Sequence, residues 1–171
     1  MEKEILIVID MQNDFLTGAL ANADGARVLA YVKEKVAAAR LKGKTVVFTR
    51  DTHEEDYLST QEGKNLPVVH CVKGTDGWQI ADGLYKAGEK VFDKPTFGSL
   101  ELASFIKDGG YTKAEFVGVC TDICVVSNVM LVKAYCPETE IIVDEKGCAG
   151  VTKERHDAAL ETMRSCQANV I

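Results

Sequence analysis

The chain has 171 residues, 46% of them apolar and 27% charged, with a formal net charge of −6. Those values suit one globular domain over residues 1–171 and exclude a disordered chain, which would be poorer in apolar residues. The acidic balance argues against a nucleic-acid partner, since dedicated binders carry a basic face, and no stretch approaches the ~18 apolar residues of a membrane span.

The N-terminus, Met1-Glu2-Lys3-Glu4, lacks the basic start and long apolar run of a signal peptide, so a cytoplasmic location is expected. Ile5–Ile9 is a continuous apolar run, the mark of a strand buried on both faces. Ala26–Leu41 has helical periodicity, carried by Val28, Leu29, Val32, Val36 and Ala39, and Gly43 ends it. Thr45–Thr49 reads as a second strand. From Arg50 to about Ala87 the pattern breaks under Gly63, Pro67, Gly74, Gly77 and Gly83; connections this long are often functional. Lys90–Phe92 is a short third strand, Leu100–Lys107 a helix and Glu115–Val119 a fourth strand, followed by a helix from about Asp122 to Ala134. Glu140–Val143 is a fifth strand, Lys153–Gln167 a last helix, and Asn169–Ile171 begins a sixth strand.

Strands alternating with helices predict an α/β fold: three α/β/α layers around a six-stranded, mostly parallel, doubly wound sheet. Ligands of such sheets sit outside the carboxyl ends of the strands. Asp10, Arg50 and Asp51, Asp93 and Lys94, Cys120 to Cys124, and Asp144 all follow predicted strands, so reactive residue types recur at end after end.

Cys124 lies just inside a helix that opens after a buried strand. A helix N-terminus lowers a thiol pKa, and its unpaired N–H groups can hold an oxyanion. By local sequence it is equally a small buried hydrophobe. The other cysteines, Cys71, Cys120, Cys136, Cys148 and Cys166, form no Cys-x-x-Cys pair and read as free thiols. Asp10 suits a general base and Lys94 a stabiliser of developing charge; a turn aspartate and a solvated lysine are the plainer readings. Asp51 and His53, spaced i, i+2 on an extended segment, can point the same way. With His70 and Glu62 on the same loop they make a donor set for zinc, iron or manganese, or else they only cap and pack that loop. His156, in a charged helical segment, reads as exposed and inert.

Five segments in order resemble the isochorismatase-like cysteine hydrolases, and among them the nicotinamidases. They are Ile9-Asp10-Met11-Gln12-Asn13-Asp14-Phe15, Thr49-Arg50-Asp51-Thr52-His53, His70-Cys71-Val72-Lys73-Gly74-Thr75, Lys94-Pro95-Thr96-Phe97-Gly98-Ser99 and Gly118-Val119-Cys120-Thr121-Asp122-Ile123-Cys124-Val125. The resemblance covers nearly the whole chain. It implies a catalytic triad of Asp10, Lys94 and Cys124, a cis peptide at Val119–Cys120, and an oxyanion hole from the N–H groups of Cys120 and Cys124. It implies a divalent metal, zinc first, on Asp51, His53 and His70, with Glu62 as a fourth ligand. Cys120 departs from the family, where a small residue such as alanine is usual. The implied reaction is hydrolysis of a small amide, nicotinamide first, by a homo-oligomeric enzyme, with Phe15 and Trp78 as ring-stacking candidates. Another amidase or carbamoyl hydrolase, and a non-catalytic binding protein on the same fold, are the alternatives.

Overall fold

The structure, a computed structural model, describes residues 2–171. Strand β1 (Glu4–Ile9) is apolar on both sides because both sides are covered. Leu6 and Val8 face one layer, Ile5, Ile7 and Ile9 the other, and all five are buried. The first layer is α2 (Gly25–Leu41), whose Val28, Val32, Val36 and Ala39 recur at helical spacing and pack on Leu6 and Val8. Complete burial of each valine contributes on the order of 2 kcal/mol. The opposite layer is α4 (Leu100–Asp108), α5 (Val126–Tyr135) and α6 (Lys153–Ser165), which supply Leu102, Ile106, Val129, Val132, Leu160 and Met163.

The remaining strands are β2 (Thr45–Asp51), β3 (Lys90–Lys94), β4 (Lys113–Val119), β5 (Glu140–Ala149) and β6 (Asn169–Val170). The sheet order is β3-β2-β1-β4-β5-β6 and every pairing is parallel. The chain thus winds outward from β1 to β3, then returns to the other side of β1 for β4. That reversal opens a crevice between the carboxyl ends of β1 and β4, where ligands bind in sheets of this kind. Among the described residues, no helix is long and apolar enough to cross a membrane.

Several boundaries differ from expectation for identifiable reasons. β2 and β3 run on to Asp51 and Lys94, which pair in register as the last residues of their strands. β5 does not stop at Val143 but continues through an irregularity to Ala149. Asp144 is therefore inside the strand, not at a ligand-facing end. Its carboxylate accepts from Tyr31 Oη (2.8 Å) and Lys35 Nζ, and Lys35 also pairs with Glu115 at 2.6 Å. The long connection holds a 3₁₀ turn (Tyr57–Ser59) and a short helix, α3 (Gln61–Asn65), capped by Thr60; another short helix, α1 (Asn13–Leu16), follows β1. α6 ends before Gln167, whose left-handed φ of 69° cannot continue a helix.

Gly118 is the position on β4 that only glycine fits. Its φ is 129°, and a Cβ there would stand 2.0 Å from the Ile9 carbonyl oxygen on β1. Gly118→Ala should force apart the two strands that carry the crevice, lowering stability by about 3–5 kcal/mol, read as Cm in urea.

A milder test concerns Asp144. Burial pushes its carboxyl up, but the bonds from Lys35 and Tyr31 outweigh it and hold the pKa below 3.8. A depressed carboxyl stabilises the native state above its ordinary range, and that contribution is lost as pH falls through the folded value. Asp144→Asn should cost about 2 kcal/mol at pH 7. In thermal melts the gap from the wild type should close on acidification below pH 4.

Candidate active site

Asp10 follows the last residue of β1 with φ 47°, a left-handed conformation that aspartate tolerates better than most residues. Thr49 of β2 fixes it from both sides: its hydroxyl donates to Asp10 Oδ1 (2.6 Å) and accepts from the Asp10 N–H (3.2 Å). Lys94, at the end of β3, reaches across β2 so that its Nζ lies 2.6 Å from Asp10 Oδ2 and 3.4 Å from Asp51 Oδ1. The same Nζ is 3.5 Å from Cys124 Sγ and donates to the Thr96 carbonyl at 3.1 Å. Asp10, Lys94 and Cys124 are 0%, 1% and 5% exposed, so the three meet out of water. Burial raises the Asp10 pKa, with Lys94 opposing and Asp51 adding to it. Burial also works against the Lys94 charge, but Asp10, Cys124 and Asp51 overcome it and hold the ammonium well above its ordinary range.

Cys124 lies in a π turn (Thr121–Val125) wedged between β4 and α5. The Cys120 carbonyl accepts from Ile123 N–H (3.1 Å) and Val125 N–H (3.0 Å), passing over the Cys124 N–H between them. A turn widened in this way deprives Cys124 of its ordinary i−4 acceptor. The peptide Val119–Cys120 is cis. Asn128 on α5 secures the turn, donating to the carbonyls of Cys124 (2.8 Å) and Phe97 (3.0 Å) and accepting from the Ser99 N–H (2.9 Å). The Cys124 thiol departs from the expectation of a lowered pKa. Burial first, and the Asp10 carboxylate second, push it well above the ordinary thiol value, and Lys94 offsets only part of this. The Cys120 thiol is pushed up to about 12, chiefly by burial and then by Asp122. His156 also departs from expectation: it is half-buried, and its Nδ1 shares a hydrogen bond with the Thr121 hydroxyl at 2.7 Å, tying α6 to the π turn.

Asp51, His53, Glu62 and His70 converge, with one ligand atom from each lying within 4.8 Å of the others. His53 Nε2 is 2.9 Å and His70 Nε2 3.3 Å from Asp51 Oδ2, and Glu62 Oε1 lies 3.6 and 3.9 Å from the same two nitrogens. His70 donates Nδ1–H to the Val68 carbonyl at 2.7 Å, which turns Nε2 inward, the usual arrangement of a ligating imidazole. The Tyr57 ring packs against both imidazoles. Two imidazoles and two carboxylates at this spacing fit a divalent metal. Burial would raise the Asp51 carboxyl, but the bonds from His53 and His70 hold it far below the ordinary range.

A cavity of about 530 Å³ opens over this arrangement, lined by Phe15, Glu62, His70, Cys120 and Cys124 together with Arg155 of α6. Trp78 is not part of its wall. The Arg50 guanidinium lies 3.6 Å from the Trp78 ring, and the indole N–H donates to Thr52 Oγ1 at 2.9 Å. Two further polar residues, buried Gln12 and partly buried Asp14, also hold the site. Gln12 clasps Asp51 by accepting from its N–H (2.7 Å) and donating to its carbonyl (2.8 Å). Asp14 accepts from the Cys71 N–H at 2.7 Å. Their signal was present, since both lie in the segment Ile9–Phe15, yet only contacts between distant segments reveal what each holds.

Residues 4–171 match the isochorismatase domain family. The chain belongs to that family. It is 29% identical over 182 residues to the nicotinamidase/pyrazinamidase of Mycobacterium tuberculosis, with 97% of each chain covered. It is 32% identical over 175 residues to a probable inactive nicotinamidase of Arabidopsis thaliana, covering 94% of this chain and 87% of that one. The structure of the pyrazinamidase of Pyrococcus horikoshii in complex with zinc superposes with a TM-score of 0.88 at 28% identity, covering 99% and 98% of the two chains. The all-parallel six-stranded fold is shared.

Removing one member of the buried ion pair should be costly. Lys94→Met leaves two buried carboxylates unbalanced and should lower stability by about 3–5 kcal/mol. Adding Asp10→Asn should restore part of that loss, so the double variant melts above the sum of the single effects. Strict additivity in a denaturation cycle would show the pair to be energetically uncoupled.

Proposed function

We propose that the protein is an amidohydrolase that converts a small carboxamide, nicotinamide first, to the carboxylate and ammonia through a thioester on Cys124. The observation that carries this reading is the contact of the Lys94 ammonium with both the Asp10 carboxylate (2.6 Å) and the Cys124 sulfur (3.5 Å) at the cavity. Asp10 takes the thiol proton as Sγ attacks the amide carbon. Burial raises the Asp10 pKa and so makes its carboxylate a stronger base than a solvated one. Lys94 stays charged and stabilises the negative charge as it passes from carboxylate to sulfur to oxygen. The N–H groups of Cys120 and Cys124 receive the oxyanion, an effect worth ~3 kcal/mol for each donor. Collapse breaks the C–N bond, and Asp10 returns its proton to the departing ammonia. A water then attacks the thioester, giving its proton to Asp10; the acid leaves and Cys124 regains its hydrogen.

Asp51, His53, Glu62 and His70 would hold a divalent metal, zinc first, with iron or manganese as alternatives. When bound, that ion supplies a positive charge and an open coordination position for a ring nitrogen or a water. Phe15, 5.7 Å from the His70 ring, gives a flat substrate an apolar face beside the cluster.

Ammonia release from nicotinamide tests the reading. The metal-loaded protein should release it; Cys124→Ala should lose at least about 10³-fold in kcat/KM. Chelation should abolish the activity, and zinc or manganese should restore it. A folded, metal-loaded wild type that releases no ammonia would overturn nicotinamide as substrate, and activity surviving in Cys124→Ala would overturn the thioester.

A further inference from the structure

The polar groups around the cavity are nearly all engaged. Glu62 faces the imidazoles of His53 and His70, and His70 is held by the Val68 carbonyl and Asp51. Asn22 spends its amide on the Gly150 carbonyl (2.7 Å) and the Asp24 N–H (2.8 Å). Arg155 is the exception. It lines the same cavity as Cys124, yet among the described residues its guanidinium has neither an ion-pair partner nor a hydrogen bond. On α6, Asp157 pairs with Lys153 (2.7 Å) and Glu161 lies nearest Arg164 (3.9 Å).

The backbone that presents Arg155 is fastened to the turn that presents Cys124. The adjacent residue, His156, bonds Thr121 at 2.7 Å, and Asp122 Oδ1 accepts from the Val151 N–H at 2.9 Å. A β-carbon on Gly150 would meet both His156 and Asp122 within 3.0 Å, so this seam is close-packed. The Arg155 backbone is therefore held at a set position relative to the turn that carries the sulfur. A guanidinium offers a planar fork that matches a carboxylate in two parallel hydrogen bonds. The cavity, at about 530 Å³, falls in the range that holds ligands larger than one ring.

We propose that Arg155 is a specificity-determining residue that receives a carboxylate on the substrate, so that the site prefers small amides bearing an anionic group over their neutral counterparts. This rests on the amidohydrolase reading above, not on nicotinamide as its preferred substrate, and narrows the substrate class. Arg155 is exposed at the cavity wall, so the contact is screened by salt and is moderate rather than dominant.

The test compares kcat/KM for matched pairs, 5-carbamoylnicotinate against nicotinamide and succinamate against butyramide, in the wild type, Arg155→Ala and Arg155→Lys. The wild type should favour the anionic member of at least one pair. That preference should fall about tenfold in Arg155→Ala, partly persist in Arg155→Lys, and shrink as salt rises. No anionic preference in the wild type, or the same preference in Arg155→Ala, would overturn the proposal while nicotinamide turnover left the parent reading standing. If no amide is cleaved, the parent reading fails, and binding of pyridine-3,5-dicarboxylate by calorimetry decides the role of Arg155. Affinity lost about tenfold in Arg155→Ala supports it, and affinity that is absent or unchanged overturns it.

Discussion

The site is organised around one buried ammonium. Lys94 is 1% exposed, and a charge so placed is tolerable only among opposite charges and acceptors. Asp10, Asp51 and the Thr96 carbonyl supply them. Those partners come from the ends of β1 and β2 and from the loop beyond β3, and Lys94 itself closes β3, so satisfying it aligns the three strands at their carboxyl edges. The sulfur of Cys124 enters from β4, the strand on the far side of β1. The ion pair thus sits where the winding of the sheet reverses, and the chemistry gathers at the crevice because that is where a buried charge can be met from both halves.

Asp51 joins this centre to the histidine cluster. One carboxylate oxygen faces Lys94 at 3.4 Å and the other faces His53 and His70 at 2.9 and 3.3 Å. Gln12 pins the Asp51 backbone on both its N–H and its carbonyl. A change of charge on either side of Asp51 is therefore felt on the other, in a volume from which water is excluded and where charges act strongly. That coupling suits an amide hydrolase, in which negative charge moves from carboxylate to sulfur to oxygen within one pocket.

Much of this was legible in the sequence because it follows from period and position. The double-sided apolar run Ile5–Ile9 announced a central parallel strand, and the recurrence of reactive residues after strands located the carboxyl edge. The α/β fold and the family followed from these segments in order. What escaped depended on contacts between distant segments. Trp78 is a flat aromatic within a loop motif, but Arg50, 28 positions earlier in the chain, claims its face. His156 sits in a charged stretch, and only the packing of α6 on the π turn brings Thr121 to it. A helix opening at Cys124 suggested an acidified thiol, whereas burial together with the nearby Asp10 carboxylate has the opposite and larger effect. Periodicity reports which side of an element is covered; it does not report what a polar side chain meets there.

The balance of charge bears on what the cluster is built to hold. Metal ligation requires neutral imidazoles, and burial favours the neutral form of the Cys124 thiol. That leaves the carboxylates of Asp10, Asp51 and Glu62 against the single ammonium of Lys94, a net excess of two negative charges in a largely buried region. Without a cation, burial raises both Asp10 and Glu62, with the Asp51 charge adding to each, and at His70 the bond to Asp51 overcomes burial and favours the charged form. One divalent cation among Asp51, His53, Glu62 and His70 would balance that excess, whereas a monovalent ion would leave half of it. With both imidazoles neutral, the donor geometry and the charge count are satisfied by the same kind of ligand.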